Sequence, residues 1–171
     1  MTVDVEFVWR YRFAHETGDE ANATSLRSFC ETILGEGNVH EIAFKDPISA
    51  EALAERKQFL VNLTRSNDAE LAWLATVKAF DGPPLANKRI RRRLDPLRSI
   101  WKYRYAHDRQ DTFRCRRLRE DWAAQRGEDN LHEIAYRKPI SVEEVAERKQ
   151  ELIKILRRIE SELAWLETRT V

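Results

Sequence analysis

The amino-acid sequence predicts an α+β fold, with α/β as the alternative. It is read as a tandem duplication of a β-α-β-α unit with a pseudo-twofold, each copy ending in a long coiled-coil-like helix. Three observations lead there. Residues 39–58, VHEIAFKDPISAEALAERKQ, return at 131–150 as LHEIAYRKPISVEEVAERKQ. Setting residue n against n+92 aligns 8–79 with 100–171 without a gap, at 32 identities in 72 positions, so one backbone path is used twice. The first residues alternate apolar and polar side chains, and the end of each copy spaces its apolar residues four and three apart. The expected division is a first repeat over 1–80, a basic linker over 81–99 opened by Asp81-Gly82-Pro83-Pro84, and a second repeat over 100–171.

The first element carries the clearest strand signal. Val3, Val5, Phe7, Trp9, Tyr11 and Phe13 fall on one face of a period-two ladder, which predicts a strand over about 4–14. Its counterpart keeps Trp101, Tyr103 and Tyr105 in the same register. There, however, Asp95-Pro96 resembles a helix start, and Leu97, Ile100, Trp101 and Tyr105 also fit helical spacing. The shared register favours strand. Next, Leu26, Phe29, Cys30, Ile33 and Leu34 predict a helix over Asp19 to Leu34, stopped by Gly35; the second copy loses most of that apolar stripe. Ile42 and Phe44, with Ile134 and Tyr136, predict short strands ending at Pro47 and Pro139. Ser49 and Ser141 then cap long helices, the second through a capping box with Glu144. Their seams run Leu53, Lys57, Leu60, Thr64, Asn67, Leu71, Leu74 and Val145, Lys149, Leu152, Leu156, Ile159, Leu163, Leu166. At about 28 residues each helix would be roughly 42 Å long and needs a partner for its stripe.

Composition bounds the function. Hydrophobic residues at 42% and charged residues at 35% describe a chain that folds rather than a disordered one. No apolar run approaches a membrane span, and MTVDVEF lacks a basic region followed by an apolar one, so no membrane partner and a cytoplasmic address are expected. Cys30 and Cys115 occupy non-equivalent positions and predict neither a disulfide nor a thiolate zinc site. The net charge of +1 hides an asymmetry: residues 1–79 hold 8 basic and 13 acidic side chains, whereas 80–126 hold 14 and 6. The basic run supplies the candidate nucleic-acid surface: Lys88, Arg89, Arg91, Arg92, Arg93, Lys102, Arg104, Arg116 and Arg117.

All four histidines are repeat-equivalent, His15 with His107 and His40 with His132. With Glu41 and Glu133 they are the candidates for acid–base chemistry or a divalent metal. The plainer reading is that each satisfies a backbone group in a duplicated scaffold, since no HxxxH or HExxH spacing is present. Glu55, Arg56 and Lys57 recur unchanged as Glu147, Arg148 and Lys149, which suits contacts to the same groups in both copies. Arg56 with Glu41 and Glu55 with His40 are the pairs expected. Arginine and lysine interleave with aromatics at 9–13 and 101–105, but strand alternation would put rings and cations on opposite faces. Trp73 and Trp165, in the repeated ELAWL, fit packing anchors.

No glycine-rich phosphate loop, GxSxG or paired-aspartate motif is present, so no cofactor and no metal are called for, and the enzyme reading is the weaker one. The expected function is a non-enzymatic protein-interaction or scaffold module, with a protein partner or homo-oligomer bound through the long helices or the sheet. Nucleic-acid binding through 88–119 is the alternative, and a His/Glu metal or acid–base site is the second.

Overall fold

The structure, a computed structural model, describes residues 5–34, 39–45, 47–81, 96–137 and 139–169. Among them there are eight α-helices and no strand. These are α1 (Val5–Glu16), α2 (Glu20–Phe29), α3 (Val39–Phe44), α4 (Ala50–Leu74), α5 (Pro96–Asp108), α6 (Thr112–Arg126), α7 (Leu131–Tyr136) and α8 (Val142–Glu167), with a π-helical turn over Cys30–Leu34 after α2. The α+β expectation, like its α/β alternative, is therefore corrected to an all-helical fold. The linker positions 82–95, with Lys88, Arg89, Arg91, Arg92 and Arg93, lie outside the described residues, as does the Gly35 stop signal.

The false strand signal has a physical cause. In α1, Phe7, Tyr11 and Ala14 are spaced by four and three and enter one core with Ala23, Leu26, Cys30, Val39 and Ala43. Trp9 and Phe13, four apart, occupy a second face and meet Trp165 edge-on at 6.2 and 5.6 Å between ring centroids. A helix buried on two faces places apolar side chains at 7, 9, 11 and 13, which imitates a period of two. In α5, Trp101 and Tyr105 contact Trp73 at 6.1 and 5.5 Å, while Tyr103 packs with Trp122, Leu131 and Ala135. Pro96 does stand at the first helical position, where its missing N–H costs nothing. The short strands expected around Ile42 and Ile134 are single-turn helices that bury Val39 with Ala43 and Leu131 with Ala135.

The two serine caps hold, and two aspartates that the sequence did not single out as caps join them. Asp19 and Asp111 accept from Asn22 N–H and Arg114 N–H, and Gly127 ends α6 in the left-handed conformation. Ser49 Oγ accepts from Ala52 N–H, and Ser141 with Glu144 forms the reciprocal capping box at 3.0 and 3.2 Å.

The chain divides into two compact units, with boundaries at Thr64–Arg65 and Ile155–Leu156. Each unit combines three helices of one repeat, the start of that repeat's long helix and the end of the other's. In the first unit Arg56 donates through Nε to Glu162 at 2.8 Å and through Nη1 to Glu6 at 2.5 Å. In the second, Arg148 donates to Glu70 at 2.8 Å and to Glu151 at 2.6 Å. Both guanidiniums are almost fully buried, at 4% and 2% side-chain exposure, so each needs a carboxylate from the other repeat. The second carboxylates differ in a compensating way. Glu6 becomes Arg98 in the second copy, and Phe59, over which Arg56 lies at 5.2 Å, becomes Glu151.

Glu162→Ala should leave the buried Arg56 only Glu6 and lower stability by up to about 3 kcal/mol in urea unfolding, whereas Arg56→Met with Glu162→Leu should cost much less. Equal losses would mean that the pair's charge is not what the site depends on.

Candidate nucleic-acid interface

The second copy differs from the first most in charge. Residues 96–126 hold nine basic and four acidic side chains, against three and six in the equivalent 4–34. In the second unit α5 and α6 carry this excess. A depression of about 380 Å³ between them is lined by Lys102, Asp111, Phe113, Arg114, Arg117, Leu118 and Asp121. Burial, reinforced by Arg98, Arg114 and Arg148, pulls the Lys102 ammonium below the usual lysine range. Phe113 stands 66% exposed at its rim, with the Arg116 guanidinium 5.8 Å from its ring centroid. On a helix, side chains three and four positions apart share a face. Phe113, Arg116 and Arg117 therefore present a ring and two cations together, which strand alternation would forbid.

Of the other basic candidates, Arg104 turns inward, donating to Ala135 O at 2.5 Å and lying over the Tyr136 ring at 5.1 Å. Its counterpart Arg12 does the same to Ala43 O and Phe44. These arginines tie the first helix of each repeat to its short third helix. Arg119 is bound in a forked pair by Asp129, which fastens α6 to the approach of α7. Hydrogen bonding from Arg119 holds the Asp129 carboxyl below its ordinary value.

The histidines do converge, pair by pair, at exposed positions. His15 and His40 lie 4.8 Å apart between centroids, both against Phe44; His107 and His132 lie 5.2 Å apart, both against Tyr136. His40 Nδ1 is 3.4 Å from Tyr11 Oη, and His132 Nδ1 is 3.0 Å from Tyr103 Oη. His107 Nδ1 lies 2.9 Å from Tyr136 Oη, which also donates to Asp108 at 3.2 Å. Burial, then Asp108, pushes the Tyr136 phenol well above its usual value. Phenols thus meet one nitrogen of three imidazoles, an arrangement that orients stacked rings across two helices. Glu41 and Glu133 are exposed at the same helix starts. Among the described residues no group of three His, Cys, Asp or Glu side chains is arranged to hold a metal ion.

Arg56 and Arg148 are placed in the buried pairs described above. Lys57 and Lys149 are half-buried on the long helices, Glu55 is exposed and Glu147 half-buried. Phe113 was missed from sequence, because nothing there distinguishes an exposed ring from a core one. No helix of the described residues is long and apolar enough to cross a membrane. No protein-family model, curated protein or solved structure matches the chain.

A depressed folded-state value means that the Asp129 contribution is present above the unfolded aspartate pKa and is lost as pH falls through the folded one. Arg119→Ala should return the Asp129 carboxyl to the ordinary range near about 4 in a carbon-detected NMR titration. An unchanged midpoint would show that the pair does not form in solution.

Proposed function

We propose that the protein is a non-enzymatic nucleic-acid-binding module that takes single-stranded nucleic acid on the α5–α6 face of its second unit. The observation that carries this reading is Phe113: a two-thirds exposed ring at the rim of a depression with Lys102, Arg114 and Arg117 in its lining. A base can stack on the ring while phosphates meet the cations around it, and neither contact requires a particular base. The seam of the long helices offers less to a partner. Leu60 and Leu166 in the first unit, and Leu74 and Leu152 in the second, are buried. A binding surface for another molecule is more readily sought where charge and ring are exposed together.

Titration of a labelled single-stranded oligonucleotide at several salt concentrations tests this. With three or four phosphate contacts the logarithm of affinity should fall against that of salt with a slope of about −2 to −3. Charge reversal at Arg116 and Arg117 should flatten it by about 1.4, and Phe113→Ala should cost about 1–3 kcal/mol. Affinity that ignores salt, or that survives loss of the ring, would overturn the reading.

A further inference from the structure

All four histidines of the chain stand in two repeat-equivalent pairs, and the spacing within each pair suits a shared ligand. An ion about 2.1 Å from an imidazole nitrogen lies about 3.2 Å from that ring's centroid, so two rings bound to it at an angle of about 90–110° have centroids roughly 4.6–5.3 Å apart. The centroids of His107 and His132 are 5.2 Å apart, and those of His15 and His40 are 4.8 Å apart. All four residues are exposed, so an ion in solution can reach them.

The second unit carries the further chemistry. The Tyr136 hydroxyl has one hydrogen and donates it to Asp108 at 3.2 Å. It therefore meets His107 Nδ1, 2.9 Å away, as an acceptor, which places the imidazole hydrogen on Nδ1 and the lone pair on Nε2. Tyr103 Oη stands 3.0 Å from His132 Nδ1, and a phenol accepts as well as donates, so His132 can present Nε2 in the same way. A hydrogen bond from the other ring nitrogen to an oxygen is the usual support of a metal-ligating imidazole, because it fixes the tautomer and raises the basicity of the ligand. Asp108, also bonded by Trp73 Nε1 at 3.0 Å, offsets the Arg104 guanidinium that lies over the Tyr136 ring at 5.1 Å. In the first unit Phe44 replaces Tyr136 and has no hydroxyl to offer His15, while Glu16, the counterpart of Asp108, is bonded to Trp165 and Arg169. His40 keeps its phenol, Tyr11, at 3.4 Å.

We propose that His107 and His132 bind one divalent late first-row metal ion, zinc or copper, through their Nε2 atoms, with water completing the coordination and Tyr136 and Tyr103 supporting the rings. The ion ties the end of α5 to the start of α7 in the second unit. Two imidazoles are fewer than the groups of three that are absent among the described residues, so this is a solvent-open site of moderate affinity and not a closed structural one. The His15–His40 pair binds the same ions more weakly, since only one of its rings has a phenol behind it. Neither Phe113 nor the cations around it take part, so the inference stands apart from the nucleic-acid reading.

The test is a titration of the full chain with zinc, read from the ring nitrogens of the histidines by NMR. The Nε2 signals of His107 and His132 should shift together and saturate at a lower zinc concentration than those of His15 and His40. Copper(II) should displace the zinc, and magnesium and calcium should have no effect, as nitrogen ligands require. Tyr136→Phe keeps both imidazoles and should weaken the site about ten-fold or more, to the level of the first unit. His132→Asn should abolish the saturable shift at His107. The wild-type titration decides the matter without any variant: no saturation by about 1 mM zinc, a shift at one imidazole of the pair alone, or shifts at Nδ1 in place of Nε2 would overturn the proposal. Affinity indifferent to Tyr136→Phe would overturn it as well.

Discussion

A guanidinium that is almost fully buried cannot be left alone, and this chain buries two. Arg56 and Arg148 each find their inner carboxylate on the other repeat, Glu162 and Glu70, and a second one on their own, Glu6 and Glu151, so neither repeat satisfies its arginine alone. The tryptophans obey the same exchange. Trp165 N–H reaches Glu16 at 3.2 Å, and Trp73 N–H reaches Asp108 at 3.0 Å, again one partner from each repeat. Desolvating a charge is recovered only when its geometry is fixed and its hydrogen bonds are filled. Units assembled from exchanged helix ends meet that condition, and the neighbouring core is arranged around it.

The compensation between copies follows from the same constraint. Reversing position 6 to Arg98 replaces a carboxylate with a second cation, and the change of Phe59 to Glu151 supplies the missing negative charge. In the first unit the aromatic face of Phe59 and the carboxylate of Glu6 share that role. Two different sets of neighbours thus surround one conserved geometry.

Local signals in the sequence were legible where their cause is local. Ser49 and Ser141, read as caps, do cap helices because a short polar side chain reaches the amide three residues on. The sequence marked the histidines as repeat equivalents, and the structure brings together the two within each repeat, His15 with His40 and His107 with His132, through helices rather than paired strands. Strand was read for helix in α1 because its second apolar face, Trp9 and Phe13, is covered by Trp165, which lies 156 and 152 residues away in the chain. Periodicity records how many faces are buried as well as which element forms, and it cannot separate the two. In the candidate interface the charge excess was legible by counting. The grouping of Phe113 with Arg116 and Arg117 was not, because although a helix was expected there, which of its faces stays exposed depends on the packing of the neighbouring helices.

Two copies of one backbone path also show where sequence has been released from the fold. The residues that hold the exchange, Arg56, Glu70, Trp73 and their counterparts, are identical in both repeats. The divergence reaches buried positions, such as Cys30 against Trp122 and Asn67 against Ile159, and changes the outer surfaces as well. α2 buries Ala23 and Leu26, whereas α6 keeps one buried residue, Trp122, and turns arginines outward. At the start of the long helices the difference runs the other way: the second copy covers Ser141 with its own chain, and the first leaves Ser49 exposed. A charged face therefore develops in one unit and a groove beside Ser49 in the other, over helices that occupy the same positions in each repeat. Once the buried pairs are formed, their geometry places no demand on either surface, and the two copies differ there in charge and in shape.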